Sequence, residues 1–400
     1  MKKLLMLLLG VALSHSQAQS VQEQTFSFNH KGCNFNAKLS YPLGTGPCPT
    51  IMLIPGSGQN DMDGSISLSG GNAQCLYPGL VDSSLTIYKD LALGLSELGY
   101  AVLRYDELFI SCPNTTTPIS DYNKLWYPAE AALDSLVKNP LVDPSRVYLM
   151  GHSEGGSLIN YLAYQRNDIA ALINIAGAYT PFDSLLARQL VEIASKCGGN
   201  VSQAQLQAQQ ILNYYSAVRN NSPGLPDFLG ATASAWKKYI NVNDSVQAYY
   251  ELANLPTLFL GMENDFNVPA AEWQRFKDSL GAQNQYSFYQ LSGLNHYMTQ
   301  DSLAKVDVRL MDTIHHFLNQ LPALTIEEKK QGSLELFPNP SKGTIYIKAS
   351  DEIYGQPFKV YDLQGSLKMA SILAPNLELH LKPGYYLFCF KEEKHRIFIQ

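Results

Sequence analysis

Apolar positions along this chain repeat at two spacings, one suited to strands and one to helices. Thr50-Ile51-Met52-Leu53-Ile54 is an almost continuous apolar run, as a strand covered on both faces requires. Tyr88, Leu91, Ala92, Leu95 and Leu98 then recur at helical spacing, and Gly99 is placed to end that helix. Tyr100 to Tyr105 reads as the next strand. A second helix follows Pro128, with Ala129, Ala132, Leu133, Leu136 and Val137 on one stripe, and Asn139-Pro140 stops it. Val147 to Met150, Ala171 to Ile175, Thr257 to Leu260 and Tyr286 to Gln290 are further strands, and Asp301–Leu318 is the last helix of the series. Strands and helices alternating through short connections predict an α/β fold, a mostly parallel sheet with right-handed crossovers.

The stretch from Gly177 to Pro256 exceeds what such a sheet needs. Leu185 to Ile193, Gln203 to Val218 and Ser234 to Leu252 read as helices, which predicts a helical cap over about 178–255. Within it Tyr214, Tyr215, Trp236, Tyr249 and Tyr250 either line a pocket or form the cap's own core, and the second is the more usual role of an aromatic stripe. After Leu318, Leu321-Pro322 and the charged run Glu327 to Gly332 read as a linker over 321–333. Beyond it the period changes to two, in Thr344 to Lys348 and Tyr385 to Phe390, which predicts a small all-β sandwich over 334–400. The sheet domain is then 19–320.

Composition adds the compartment. Lys2 and Lys3 precede an apolar run from Leu4 to Leu13, and Ser16-Gln17-Ala18 supplies small residues at the cleavage positions, so residues 1–18 read as a signal peptide and the mature chain as secreted. No later segment is apolar for long enough to span a membrane. The net charge of −6 over 400 residues argues against a nucleic-acid partner. Six cysteines fit an oxidising compartment, and the expected pairs are Cys33 with Cys48 and Cys75 with Cys112.

In a parallel sheet, chemistry is placed just beyond the carboxyl ends of strands. There stands Gly151-His152-Ser153-Glu154-Gly155, a G-x-S-x-G sequence between a strand and a helix expected to start near Gly155. The flanking glycines let the chain turn sharply and present the Ser153 hydroxyl as a nucleophile. A serine hydroxyl needs a base, which a carboxylate orients, in the chain order Ser, acid, His. Asp265 follows the strand Thr257–Leu260 and is the expected acid, with Glu263 as its competitor; His296, after the strand Tyr286–Gln290, is the expected base. His152 is expected to pack beside the turn, and His315 and His316 to be surface groups. Backbone N–H donors for an oxyanion are expected at Glu154 and in the loop Pro55-Gly56-Ser57-Gly58, at Ser57 or else at Gly58. This chemistry uses no metal and no organic cofactor.

Residues 20–320 resemble the α/β-hydrolase superfamily, in particular its bacterial esterase and dienelactone-hydrolase-like branch. Gly56 to Asp61, Tyr88 to Ala92, Ala101 to Asp106 and Val142 to Arg146 running into the Ser153 turn carry the likeness. It implies a triad of Ser153, Asp265 and His296 acting on small-molecule esters of short acyl chains. Pro55 stands where relatives carry His, and Glu107-Leu108-Phe109 where they carry a charged residue and glycine; both changes are expected to line the acyl side of the cleft. Leu336 to Gly343, Val360 to Gly365 and Leu381 to Tyr386 resemble the C-terminal sorting domain of type IX secretion, which implies the secretion machinery as a partner. The alternative readings are a serine peptidase or thioesterase on the same fold, or a surface-binding or adhesive protein without catalysis.

Overall fold

The computed structural model describes residues 20–44, 46–114, 126–321, 334–337, 341–349, 353–362, 366–375, 377–390 and 393–399. The expected signal peptide, nearly all of the linker 321–333, and parts of the C-terminal motifs, such as Leu363-Gln364-Gly365, lie outside the described residues. The chain forms two compact units, Met1–Leu324 and Thr325–Gln400.

The first unit is built on an eight-stranded sheet: β1 (Val21–His30), β2 (Cys33–Pro42), β3 (Cys48–Ile54), β4 (Ala101–Tyr105), β5 (Val142–His152), β6 (Ala171–Ile175), β7 (Thr257–Met262) and β8 (Tyr286–Leu291). Its order is β1-β2-β4-β3-β5-β6-β7-β8. Strands β3 to β8 are parallel, whereas β2 runs antiparallel to both β1 and β4. Burial on both faces explains the apolar runs. Met52, Ile54, Leu103 and Leu149 enter one core layer, and their neighbours Ile51, Leu53, Val102 and Met150 enter the other. Helices α1 (Ile87–Glu97), α2 (Trp126–Leu136) and α3 (Ile159–Tyr164) follow β3, β4 and β5 in turn. Gly99 takes φ of 103°, where a side chain would be strained.

The cap consists of α4 (Phe182–Lys196), α5 (Val201–Arg219), α6 (Ala233–Asn243) and α7 (Val246–Ala253). The single helix expected over Ser234–Leu252 is therefore two. The break at Asp244-Ser245 has a polar cause: the Asn243 side chain accepts the Phe182 N–H at 2.6 Å, and Asp244 takes a two-pronged contact from Arg219, at 2.6 and 2.8 Å. The aromatic stripe divides likewise. Tyr214, Tyr215 and Trp236 form a separate apolar cluster with Tyr239 and Ile240, while Tyr249 packs on Tyr161 and Tyr164. The unit closes with α8 (Ala270–Leu280) and α9 (Val308–Asn319). The last helix begins seven residues later than the expected Asp301, because its cap is Asp307, whose carboxylate accepts the Arg309 N–H at 2.9 Å.

Both expected disulfides are overturned: Cys33 bonds to Cys112 and Cys75 to Cys197. The direction of β2 is the reason. Antiparallel to β4, it pairs Ala37 with Tyr105 and so starts at the carboxyl edge of the parallel strands, next to the segment after β4. Cys48 opens β3 at the opposite edge, where Thr50 pairs with Ala101. The second bond ties the end of α4 to the segment before α1, fastening the cap to the sheet domain.

In the second unit, β9 (Leu334–Phe337), β10 (Thr344–Ala349) and β13 (Leu377–His380) make one antiparallel sheet. The other is β12 (Leu367–Ile372), β11 (Pro357–Asp362), β14 (Gly384–Phe390) and β15 (Glu393–Ile399). Ile345, Ile347, Phe358, Val360, Phe388 and Phe390 share one core between them. Among the described residues no helix is long and apolar enough to cross a membrane.

Candidate active site

Four loops leave the carboxyl ends of β3, β5, β7 and β8, and each carries at least one of the residues selected from the sequence. At the end of β5, Ser153 has φ of 54°, the left-handed region that a non-glycine residue enters at a cost of roughly 1–3 kcal/mol. The glycines around it are steric necessities. A Cβ at Gly151 would lie 2.3 Å from the Gly155 carbonyl oxygen, and one at Gly155 would lie 2.4 Å from the Ile54 carbonyl oxygen. The turn continues into a 3₁₀ segment, Ser153–Ser157, and only then into the short α3, so the regular helix begins later than expected.

Asp265 and His296 meet across the ends of β7 and β8. His296 Nδ1 lies 2.7 Å from Asp265 Oδ2, with both side chains buried, and the other carboxylate oxygen accepts the Val268 N–H at 2.7 Å. Glu263, the competing acid, turns instead to the Ser292 hydroxyl and the Gly293 N–H, and those hydrogen bonds hold its carboxyl below the usual range. It braces the loop that carries His296.

Ser57 and Glu154 line one cleft with Ser153, enclosed on the cap side by Phe182, Leu185 and Tyr239. Its empty volume is about 460 Å³, including open solvent. The Tyr239 hydroxyl donates to Glu154 at 2.8 Å, joining cap to turn. None of the five aromatic residues proposed as pocket lining reaches this cleft; Tyr239, which the sequence did not single out, does. The cap also grips the acid loop, where Arg188 and Gln189 donate to the Asn267 carbonyl at 2.7 Å each.

The expectation that Pro55 and Glu107 line the acyl side is corrected. Both are buried, and neither borders the cleft. The Glu107 carboxylate accepts the Asn60 N–H at 2.7 Å, and the Asn60 side chain donates to the Gly56 carbonyl at 3.0 Å. Glu107 thus supports the Ser57 loop from beneath. An acid immediately past a strand end was the available sign, but it reads equally well as a cleft residue.

His152 is buried and held between Tyr88 and the backbone of His296. Burial, reinforced by the neighbouring His296 imidazole, pushes its pKa from 6.5 down to about 3. Unfolding therefore gains a proton at this site below 6.5, so the stability present at neutral pH is lost as pH falls from 6.5 toward 3. At pH 5 this cost is about 2 kcal/mol. Thermal unfolding measured at pH 7 and pH 5 should show a larger drop in wild type than in His152→Gln; equal drops contradict the assignment. His315, by contrast, contacts the Tyr100 hydroxyl at 3.1 Å, and His316 is exposed.

The family model described as serine aminopeptidase, S33 (Hydrolase_4) matches residues 73–302. Esterase EstD of Thermotoga maritima is 26% identical over 295 residues, covering 72% of this chain. That match spans 65% of EstD, just under two thirds of its length. Est1E from Butyrivibrio proteoclasticus is 17% identical with a TM-score of 0.44, over 74% of this chain and 98% of its own. The α/β hydrolase GrgF from Penicillium sp. sh18 is 16% identical with a TM-score of 0.48, over 77% of this chain and 100% of its own.

Proposed function

We propose, on the premise that the chain belongs to the Hydrolase_4 family (serine aminopeptidase, S33), that it is a serine hydrolase cleaving carboxylic esters of short to medium acyl chains. The observation that carries this reading is the 2.7 Å contact between Asp265 and His296, on the sheet edge where Ser153 is held at φ of 54°. Asp265 fixes the imidazole with its proton on Nδ1, leaving Nε2 to accept the Ser153 proton as the hydroxyl attacks the ester carbonyl. The Ser57 and Glu154 amides then hold the oxyanion, in keeping with a Ser57 N–H that donates to no protein atom among the described residues. The alcohol leaves with the proton from His296, and water attacks the acyl-enzyme by the same route.

The likeness to EstD favours esters over amides, and the cap residues Phe182, Leu185 and Tyr239 lining the cleft beside Ser153 favour a short acyl group. Rates on acetyl, butyryl and decanoyl p-nitrophenyl esters and on an aminoacyl p-nitroanilide test both points. The short esters should lead, with the anilide slower by at least about 100-fold in kcat/KM. An anilide turned over as fast as the best ester would make the chain a peptidase instead.

The second part of the proposal is export. The leader 1–18, the two disulfides and the β-sandwich with its sorting-domain motifs support a secreted enzyme delivered by type IX secretion. Truncation after Gln331 should leave active enzyme in the periplasm. Undiminished secretion of the truncated chain would remove the sorting role.

A further inference from the structure

Two buried side chains outside the triad join the loops that carry it. The Gly56 N–H donates to the Tyr88 hydroxyl at 2.8 Å, and that hydroxyl lies 3.2 Å from His152 Nδ1. On the far side of the same ring, His152 Nε2 lies 3.0 Å from the His296 carbonyl oxygen. Chemistry fixes every direction in this chain. A carbonyl can only accept, so Nε2 carries the proton. The ring is neutral at physiological pH, its pKa pushed down to about 3 by burial, so Nδ1 offers a lone pair and accepts from the Tyr88 O–H. The phenol oxygen is then open to the Gly56 N–H. Each group is used once, and no donor faces a donor.

Packing holds the two rings to this arrangement. Gly64, at φ of 64°, passes so close that a Cβ there would lie 2.6 Å from Tyr88 Cδ2. A Cβ at Gly56 would lie 3.1 Å from Ser153 Cβ and 3.4 Å from His152 Nδ1, so the oxyanion loop rests directly on the turn. The hydrogen-bonded chain thus starts one residue before Ser57, passes through the residue before Ser153, and ends on the backbone of His296.

We infer that Tyr88 and His152 are positioning residues, which set the oxyanion loop, the nucleophile turn and the base loop in register for acyl transfer. The inference rests on the serine-hydrolase reading above. A plain core role for Tyr88 would need only its ring, which packs with Ile87, Leu91 and Leu95. The relay needs its hydroxyl.

Tyr88→Phe separates the two, since it keeps the ring and deletes the hydroxyl. With active sites counted by fluorophosphonate titration, kcat per site should fall by roughly 10- to 100-fold, with KM within about twofold of wild type. His152→Gln, which keeps a distal N–H for the His296 carbonyl, should retain more activity than His152→Ala. Combining Tyr88→Phe with His152→Ala should cost no more than His152→Ala alone, because a chain cut twice is no more broken than a chain cut once. A wild-type kcat per site in Tyr88→Phe, whatever its melting temperature, overturns the inference. So do losses that multiply in the double variant, and the His152 variants still decide the matter if Tyr88→Phe fails to fold. Failure of the underlying reading looks different: Ser153→Ala would then turn over ester at the wild-type rate.

Discussion

Ser153→Ala should lose at least about 10⁴-fold in kcat while keeping its fold, an effect of more than roughly 5 kcal/mol in transition-state stabilisation. In the proposed mechanism the hydroxyl is the atom that becomes bonded to the acyl carbon, so no neighbour substitutes for it. Glu154 is committed to Tyr239, and His152 spends both ring nitrogens on Tyr88 and His296. Stability should barely change. Alanine at φ of 54° carries the same strain as serine, and the deleted oxygen borders a cleft open to solvent. Hydrolysis of an acetyl ester and a melting curve check both halves of the statement. Residual activity would be the background that oxyanion donors and substrate positioning provide without a nucleophile.

Asp265→Asn should cost about 10³- to 10⁴-fold in kcat with almost no change in shape. The reason lies in the second hydrogen bond of the carboxylate. Asp265 Oδ1 accepts the Val268 N–H at 2.7 Å, and only the oxygen of an asparagine amide can keep that bond. The amide NH₂ is then forced to face His296 Nδ1, which must become an acceptor. The imidazole proton moves to Nε2, the position that receives the Ser153 proton in the proposed mechanism, and the base is blocked. Glu263 cannot replace the lost acid while it serves Ser292 and Gly293 on the loop. Steady-state kinetics with the melting temperature as control read this effect; activity within about tenfold of wild type would contradict the role given to Asp265.

Much of this arrangement was legible from the chain because its signals are local. The run Thr50–Ile54, the G-x-S-x-G turn and the acids and histidine just past later strands each sit within a few residues of the feature that reveals them. Long-range partnerships were not legible. Tyr88 and His152 are 64 positions apart, and His152 and His296 are 144 apart, so Tyr88 read as an apolar position on a helix stripe and part of a family-like stretch, with no sign of its hydroxyl's partners. The disulfides failed for a related reason. Cys33 and Cys48 flank what reads as an early strand, which suggested their pairing, but the antiparallel course of β2 sends these two to opposite edges of the sheet. Breaks inside apolar stripes were equally hidden, since Asp244 interrupts the cap helix by meeting Arg219, 25 residues away. Glu107 shows the limit from the other side: its type and position were noticed, but whether it faced the cleft or the loop above it depended on the fold.

The most direct measurement of the central claim is covalent labelling with a fluorophosphonate, followed by peptide mapping. One adduct is expected, on Ser153, with loss of esterase activity in step with labelling and no adduct in Ser153→Ala. An adduct on a different residue, or full hydrolysis of ester by a chain whose Ser153 is fully modified, would contradict it.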